Sequence, residues 1–288
     1  MRGRRWSIGG RTALVVEGGG MRGIFSSGVL DAFLLAKFDP FDLYVGTSAG
    51  ACNLSSHVAG QYKRNYRLYT GPMRTRYFIN LGRFLVGGHF MDLDYLWDYC
   101  AREDPLDAAA CAKNTQNKEF LAACTSVESG EAVYLRPREE NWNAVLKASS
   151  AMPVLFKTPQ YMDSQRLVDG GVADAVPVEE AHRRGAARIV VIRSQAADYI
   201  KKDGMENRLT ALLCWRHPRL KETLRRKPES YMRSLDFIKQ PPVGVKVFQI
   251  APEPKLNSGR TTRDLELLQA DYELGRSQGK VFAEAWRE

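Results

Sequence analysis

Residues 13–51 decide the fold and read ALVVEGGGMRGIFSSGVLDAFLLAKFDPFDLYVGTSAGA. Two short apolar runs, residues 13–16 and 43–45, are each followed by a glycine-rich turn. Uninterrupted apolar runs of this length are typical of parallel strands that are buried on both faces. Apolar residues at helical spacing predict a helix over residues 24–38. The stretch therefore predicts a strand-helix-strand unit with both turns at one edge of the sheet, where ligands bind in parallel sheets.

The second turn, Gly46-Thr47-Ser48-Ala49-Gly50, matches the G-x-S-x-G nucleophile elbow. A serine on such a sharp turn needs small neighbours, because the backbone folds back on itself there. The helix that follows would direct its positive N-terminal end at Ser48. An ordinary strand-to-helix turn with a capping serine has the same pattern, so this motif alone leaves both interpretations open.

The first turn is Gly18-Gly19-Gly20-Met21-Arg22-Gly23. It satisfies the dinucleotide fingerprint G-x-G-x-x-G, but that interpretation requires an acidic residue at the end of the next strand, where Ser48 stands instead. The alternative is an oxyanion hole made of backbone N–H groups that no side chain covers. Arg22 opposes the helix dipole, which indicates either an anion such as phosphate nearby or a side chain that points into solvent.

A third motif, Arg166-Leu167-Val168-Asp169-Gly170-Gly171, is a short strand that ends in an acid and two glycines. Together the three motifs resemble the patatin-like phospholipases, whose pattern is G-G-G-x-R/K-G, then G-x-S-x-G, then D-G-G/A. Residues 148–153 also resemble the segment that precedes the family's aspartate strand. The resemblance covers roughly residues 12–195. It implies an α/β fold of three layers, with a central, mostly parallel sheet flanked by helices.

The resemblance implies a Ser–Asp dyad, with Ser48 as nucleophile and Asp169 as base. The implied oxyanion hole consists of Gly18, Gly19, Gly20 and Met21. The elbow residues are Gly46, Thr47, Ala49 and Gly50, and the acid loop contains Gly170 and Gly171. Arg22 and Gly23 would either hold a substrate phosphate or brace the turn, and the residues leave both open.

The positions of the histidines also favour a Ser–Asp dyad, independently of the resemblance. An ordinary α/β-hydrolase places its triad histidine late in the chain, on a loop after a strand. The late candidates are His182, which lies within a predicted helix, and His217, which no strand precedes. Asp163 and Asp174 are rival acids, but neither ends an apolar strand that two glycines follow.

The predicted function is therefore a serine lipid acyl hydrolase of the phospholipase A or lysophospholipase type, acting on acyl-ester lipids through an acyl-enzyme. No cofactor and no metal are expected, because no site in the sequence offers clustered ligands. His89 and Asp94 fit the H-x-x-x-x-D spacing of some acyltransferases, but a match of two residues is easily met by chance. Two alternatives remain: a non-catalytic protein that binds lipid surfaces, and a dinucleotide-dependent enzyme.

Composition limits the partners and the location. The chain has 288 residues and a net charge of +9, which favours an anionic partner. Nothing resembles a nucleic-acid module, so phospholipid is the better candidate. The basic N-terminus, Met1 to Trp6, is followed by no apolar segment of signal-peptide length, so we expect a cytoplasmic protein with possible peripheral contact to an anionic membrane. The five scattered cysteines are expected to be reduced.

We expect a catalytic domain over residues 12–195 and a C-terminal extension over 196–288 that packs on it. Residues 51–69 are predicted to form one helix, and residues 72–100 an irregular aromatic segment that either walls an acyl pocket or simply packs. The basic segment 214–227, within a predicted helical region over 196–240, suits either an anionic membrane or a solvated helix face. Further strands and helices are predicted over residues 119–125, 131–135, 142–150, 158–163, 166–169, 177–184, 188–193, 245–250 and 262–286.

Overall fold

The computed structural model describes residues 10–201 and 204–286, so the basic N-terminus from Met1 to Trp6 lies outside the described residues. One sheet forms the centre of the molecule. Its strands are β1 (Arg11–Val16), β2 (Leu43–Thr47), β3 (Glu119–Ser126), β4 (Ala132–Leu135), β5 (Gln160–Met162), β6 (Gln165–Asp169), β7 (Ala186–Ile192) and β8 (Lys246–Ile250). Their order is β5-β6-β3-β2-β1-β7-β8, and β4 pairs with β3.

The sheet is mostly parallel, as predicted. The pairs β3–β2, β2–β1, β1–β7 and β7–β8 are parallel, whereas β4, β5 and β6 run antiparallel to their neighbours. Strand β1 lies in the middle and is buried almost throughout. Because β1 and β2 are parallel neighbours, the two glycine turns that follow them lie beside each other at the carboxyl ends of these strands.

Helices cover both faces. They are α1 (Gly23–Leu35), α2 (Ala49–Val58), α3 (Arg64–Thr70), α4 (Leu81–Leu85), α5 (Leu93–Glu103), α6 (Ala108–Asn114), α7 (Trp142–Ser150), α8 (Val178–Arg183), α9 (Met205–Leu213), α10 (Pro218–Lys239) and α11 (Leu265–Ala285). On one face, Leu14 and Val16 of β1 pack with α1, α2 and α7. On the other face, Ala13 and Val15 pack with α8 and α10. The three-layer architecture predicted above is confirmed.

Helix α11 packs closely against α1 because glycines face the opposing backbone. A Cβ atom on Gly275 would lie 2.1 Å from the carbonyl oxygen of Phe25, and one on Gly28 would lie 2.2 Å from that of Tyr272. Helix α1 is consequently buried along nearly its whole length, with the sheet on one side and α11 on the other.

The pairing of β2 and β6 with β3 determines where Ser48 and Asp169 lie. Residues 122–125 of β3 pair with β4 along one edge. On the other edge, β3 pairs first with β2, up to Ala123 opposite Thr47, and then with β6, starting at Cys124 opposite Asp169. Strands β2 and β6 therefore follow one another end to end along the same edge of β3. This brings the residue after Thr47 close to Asp169.

The structure corrects two predictions. Residues 51–69 are not one helix: α2 ends at Val58 and α3 begins at Arg64, because Gly60 and Lys63 adopt left-handed φ angles of 73° and 59°. Residues 72–100 are not irregular, since they contain α4 and most of α5, whose N-cap Asp92 accepts a hydrogen bond from Tyr95 N.

The other predicted strands and helices are present within a few residues of the predicted bounds, although residues 196–201 are not helical and α9 begins only at Met205. The five cysteines are free thiols, as expected. The division at residue 195 stays a prediction; β8 joins the sheet beside β7, and α11 covers α1. Within the described ranges, no helix is long and apolar enough to cross a bilayer.

Candidate active site

Ser48 stands on a sharp turn between β2 and α2. Its backbone has φ 55° and ψ −125°, in a region that residues other than glycine rarely adopt. The turn is tight enough that its glycines have no room for a side chain. A Cβ on Gly46 would lie 2.6 Å from the Cα of Ala51, and one on Gly50 would lie 2.3 Å from the carbonyl oxygen of Val16. This is the strained strand-to-helix geometry of a nucleophile elbow.

The Ser48 hydroxyl donates a hydrogen bond to Asp169 Oδ2 over 2.7 Å. The other carboxyl oxygen, Oδ1, accepts from Gly171 N over 2.7 Å, which fixes the orientation of the carboxylate. A Cβ on Gly170 would lie only 2.1 Å from the carbonyl oxygen of Ala123, so glycine is required for the loop to pass β3 at this distance. Ser48 and Asp169 therefore form a hydrogen-bonded pair, as the sequence predicted for a dyad.

Burial makes the Asp169 carboxyl less acidic. Asp169 is 5% exposed, and loss of solvation raises its pKa above the ordinary carboxyl value. The hydrogen bonds from Ser48 and Gly171 and the charges of Lys227 and Arg260 act in the opposite direction. A raised pKa brings a carboxylate closer to the basicity that proton abstraction requires.

Ser149, at the end of α7, links the Ser48 turn to strand β3 by hydrogen bonds. Its hydroxyl accepts a hydrogen bond from Ser48 N over 2.9 Å and donates one to the carbonyl oxygen of Ala123 over 2.6 Å. Ser149 is completely buried. Its only signal in the sequence was the resemblance of residues 148–153 to a family segment, which assigned it no role.

The glycine turn provides two available donors and not four. Gly18 N donates to the carbonyl oxygen of Ala175, and Met21 N donates to that of Arg260. These bonds occupy both N–H groups, so Gly18 and Met21 are not available as oxyanion donors in this conformation. For the N–H groups of Gly19 and Gly20, no acceptor is found among the residues that the structure describes.

Arg22 is half-buried, and its Nε atom is buried without a hydrogen-bond partner in the described part of the chain. Burial and the neighbouring Arg260 lower the pKa of Arg22. Gly23 has a packing role, because a Cβ there would lie 2.3 Å from the hydroxyl oxygen of Tyr69.

A buried ionic network anchors the start of the glycine turn. Glu17 accepts hydrogen bonds from Arg193 Nε, from Ser194 N and from the hydroxyl of Tyr231 on α10. Glu17 and Arg193 are 2% and 1% exposed. This pair was not predicted, although opposite charges directly after two apolar parallel strands were a usable signal.

Two cavities meet at Ser48. The first, of 350 Å³, is lined by the glycine turn, Ser48 and Asp169 together with four basic side chains, and we call it the cationic cavity. Its basic residues are Arg22, Lys201, Lys227 and Arg260. The second, the apolar cavity, is lined mainly by α2, α3, α5 and α7 and includes Leu68, Phe78, Leu93, Leu96 and Trp97.

Among the described residues, no histidine lines the cationic cavity. The rival acids lie elsewhere: Asp163 forms the β5–β6 turn, and Asp174 accepts a hydrogen bond from the Tyr134 hydroxyl. Clustered metal-type ligands do occur, contrary to the expectation, at His89, Asp92 and Asp94. Their carboxylates already pair with Arg83 and Lys147, so this group has the character of an ion-pair network.

Comparisons with known proteins bear on the family and the fold of this chain. The family model of the patatin-like phospholipases matches residues 14–182, and a domain of unknown function, DUF6363, matches residues 217–288. The uncharacterized protein YjjU of Escherichia coli strain K12 is 37% identical over 277 residues, which are 95% of this chain and 77% of YjjU. The crystal structure of VipD from Legionella pneumophila shares the fold, with a TM-score of 0.52 at 15% identity, over 96% of this chain and 67% of VipD.

Proposed function

The chain belongs to the patatin-like phospholipase family, a family of lipid acyl hydrolases, and from that premise we propose that Ser48 and Asp169 hydrolyse carboxylic esters of lipids. The observation that carries this proposal is the 2.7 Å hydrogen bond from the Ser48 hydroxyl to the buried Asp169 carboxylate, at the junction of two cavities. The expected activity is that of a phospholipase A or lysophospholipase.

The proposed reaction has two steps. Asp169 accepts the hydroxyl proton while Ser48 Oγ attacks the ester carbonyl carbon, and the tetrahedral intermediate collapses with departure of the alcohol, which takes that proton. Water then attacks the acyl-enzyme and gives its proton to Asp169. Collapse of this second intermediate releases the fatty acid, and the proton returns to Ser48.

The N–H groups of Gly19 and Gly20 are the proposed donors to the oxyanion. Each such donor is typically worth about 3–4 kcal/mol in the transition state, so the turn should contribute nearly as much as the dyad. Larger residues do not fit here, because Gly20 has a positive φ of 59° and a Cβ on Gly19 would lie 2.6 Å from Ser194 Oγ. Helix α2, which begins directly after Ser48, adds its positive end.

The apolar cavity is the proposed site of the acyl chain. It extends from Ser48 between α2, α5 and α7, and most of its lining side chains are apolar. An acyl carbonyl at Ser48 would have its chain directed into this cavity and its alcohol portion in the cationic cavity. The aromatic segment 72–100 thus contributes to the acyl wall through Phe78 and Trp97, in addition to ordinary packing.

A fluorophosphonate probe tests the nucleophile directly. We expect covalent labelling of the wild-type protein and of the exposed control Ser129→Ala, and no labelling of Ser48→Ala. Asp169→Asn should lose ester hydrolysis while remaining folded, since Asn can still accept the bond from Gly171 N. Full activity of the Asn variant would exclude the dyad. A thermal shift with NAD(P) but no labelling would favour the dinucleotide alternative.

We further propose that the molecule docks on anionic membranes with an exposed apolar surface formed by α4, α9 and the residues next to them. Large apolar side chains are exposed on α4 and α9 and next to them, at Leu81, Leu85, Val86, Leu209, Leu212, Leu213 and Trp215. Lys157 links the two groups, because its Nζ donates to Gly87 O and the residue lines a third cavity together with Leu213 and Trp215. Exposed apolar side chains beside cations suit an anionic bilayer surface.

Vesicle sedimentation distinguishes binding through this apolar surface from attraction by the net charge of the whole protein. Leu85→Glu and Trp215→Glu should reduce binding to vesicles that contain phosphatidylglycerol. Val243→Glu is the matched control, since Val243 is fully exposed but precedes β8 and so lies at the opposite edge of the sheet. If all three variants bound as well as the wild-type protein, the docking proposal would be wrong. If all three lost binding to the same extent, the loss would be an effect of net charge only.

A further inference from the structure

Among the residues that the structure describes, the third cavity shares no lining residue with the two cavities that meet at Ser48. It has a volume of 250 Å³, and its wall consists of the loop after α7, part of β6 and the segment between α9 and α10. This volume corresponds to about eight water molecules at roughly 30 Å³ each, so the cavity can hold a group of several non-hydrogen atoms. The proposed chemistry at Ser48 gives it no role.

The charged side chains in the wall of the third cavity are basic. They are Lys157, Arg166 and Arg216, and His217 lies beside them. In the described part of the chain, no aspartate or glutamate lines this cavity, and none forms an ion pair with these three cations. The wall therefore favours an anionic ligand.

The groups that do contact this wall leave its charge in place. Lys157 Nζ donates to the carbonyl oxygen of Gly87, which is a neutral acceptor. Thr158 of the wall donates to Asp94 Oδ2, but the other carboxyl oxygen of Asp94 pairs with Lys147, a cation outside the cavity. Asp94 is thus not a counter-charge reserved for the third cavity.

Arg166 offers the donors best suited to an anion. It lies on β6 and is half-buried, and its Nε atom is buried without a hydrogen-bond partner among the described residues. Its Nη1 atom lies 3.4 Å from His217 Nε2, which can accept a bond only as the neutral imidazole with its hydrogen on Nδ1. A guanidinium that meets no carboxylate can bind two oxygens of one phosphate group through its planar fork.

The loop after α7 separates the third cavity from the active site. Met152 and Leu155 line the cationic cavity, whereas Pro153 and Val154 line the third cavity. Val154 has a φ of 71°, a conformation that is a genuine outlier for a β-branched residue and that occurs preferentially at ligand-binding sites. A ligand in the third cavity would therefore lie one loop away from Ser48.

The rim of the third cavity belongs to the exposed apolar surface described above. Leu213 and Trp215 line the cavity and are both exposed. Arg216 Cζ lies 5.0 Å from the centroid of the Trp215 ring, so a cation and an aromatic ring stand together at the rim. A ligand that carries both a negative charge and apolar chains matches this combination, whereas a small free anion would leave the apolar rim without a contact.

We propose that the third cavity binds the phosphate group of an anionic phospholipid such as phosphatidylglycerol, with the acyl chains of that lipid along Leu213 and Trp215. This lipid is a second molecule, distinct from the substrate. The inference rests on the proposed membrane docking and not on ester hydrolysis. It goes beyond docking because it assigns one headgroup to one cavity. A choline headgroup is disfavoured, because its trimethylammonium group would lie among the cations of the wall.

A substitution that keeps the charge tests the site most directly. Arg166→Lys retains the positive charge and removes the planar fork. Binding is measured by sedimentation with vesicles of phosphatidylglycerol in phosphatidylcholine, in full-length Ser48→Ala so that no acyl-enzyme forms. We expect Arg166→Lys to lower the affinity about 10-fold and Arg166→Gln about 10- to 100-fold, which is the contribution of a charged hydrogen bond.

Arg219 provides the matched control, because it is an exposed arginine of α10 that does not line the third cavity. Arg219→Lys should bind like its parent, and Arg219→Gln should lose at most about fivefold, the contribution of one charge near an anionic surface. Equal affinities of Arg166→Lys and Arg219→Lys, in proteins that melt like their parent, would overturn the headgroup site.

Arg216→Gln keeps the test decisive if the half-buried Arg166 does not tolerate substitution. Arg216 is exposed, so its replacement leaves the packing of the wall intact. Its affinity should fall about 10-fold, and a loss no larger than that of Arg219→Gln would overturn the proposal. Leu85→Glu reports on docking alone: if it loses binding while the Arg166 and Arg216 variants keep it, the docking surface stands and the headgroup site is wrong.

A soluble competitor identifies the source of the phosphate. Glycerol 3-phosphate lacks the chains that would contact Leu213 and Trp215, so it should not displace the protein from vesicles at a concentration equal to that of phosphatidylglycerol. Complete displacement there would identify a soluble phosphate ester as the ligand and overturn the lipid assignment. Because these measurements use Ser48→Ala, a wild-type protein that cleaves no ester would refute the proposed hydrolysis and leave the headgroup site standing.

Discussion

Replacing Ser149 by alanine tests whether the elbow is held in place by a buried hydroxyl. The hydroxyl links Ser48 N to the carbonyl oxygen of Ala123, and Ser149 is completely buried, so no solvent can replace it without a rearrangement. The variant leaves the N–H group of a residue with positive φ without an acceptor. Both the stability of the fold and the position of the nucleophile should suffer.

The expected loss of stability follows from the two backbone groups that Ser149→Ala leaves without a hydrogen-bond partner. A buried donor without a partner costs about 1–3 kcal/mol, and the carbonyl oxygen adds part of a second such penalty. We therefore expect a loss of about 2–4 kcal/mol of unfolding free energy. At roughly 2–4 °C per kcal/mol for a chain of this size, the melting temperature should fall by about 4–16 °C. Misplacement of Ser48 should lower kcat by about 10- to 100-fold.

Differential scanning calorimetry and hydrolysis of p-nitrophenyl butyrate measure both effects. Ser150→Ala is the adjacent control, because the Ser150 hydroxyl donates to the carbonyl oxygen of Leu146 within its own helix and otherwise makes a long contact of 3.5 Å with Cys52 Sγ. That variant should change the melting temperature by only about 1 °C, since intrahelical bonds of this kind contribute little. If Ser149→Ala melted and reacted like Ser150→Ala, the supporting role of this hydroxyl would be refuted.

Three further outcomes are expected. Glu17→Gln should cost about 3 kcal/mol in urea unfolding, because it leaves the buried Arg193 guanidinium without its charged partner. Gly275→Ala should cost about 1–3 kcal/mol, since its Cβ would lie 2.1 Å from a carbonyl oxygen of α1. Because burial raises the pKa of Asp169, kcat/KM should be lost as pH falls through a value above 3.8, the ordinary value for this carboxyl.

Each outcome has a result that contradicts it. An unchanged urea midpoint in Glu17→Gln would mean that the ion pair contributes no net stability. Gly82→Ala is the control for Gly275→Ala, because its Cβ would have only Asn80 Oδ1 nearby, at 3.4 Å; equal stability of the two variants would exclude the close helix contact. An acidic limb at or below pH 3.8 would show that burial does not raise the pKa of the base.

The sequence predicted the parts of the fold that leave a local signature. Apolar runs before the two glycine turns identified β1 and β2, and their parallel pairing followed from the helical pattern between them. The pairing of Ser48 with Asp169 was predictable because three motifs occurred together. The break at Lys63 was not, because a left-handed lysine has no sequence signal, although Gly60 nearby was one.

The remaining parts of the site depend on contacts between distant segments. Ser149 has the same composition and spacing as any helical serine, and only the fold shows that its hydroxyl meets Ser48 N. The cations of the C-terminal part were recognised as charges but not as a cavity wall. Lys227 lies on the same helix as the exposed Arg225 and Arg226, and charge counting cannot distinguish them.

The end-to-end placement of β2 and β6 along β3 has a mechanical consequence. Ser48 follows the residue that pairs with Ala123, and Asp169 pairs with the next residue, Cys124. Both partners of the proposed proton transfer are thereby positioned by adjacent residues of a single strand. A movement of the surrounding helices would therefore leave the separation of Ser48 and Asp169 unchanged, as long as β3 itself keeps its shape.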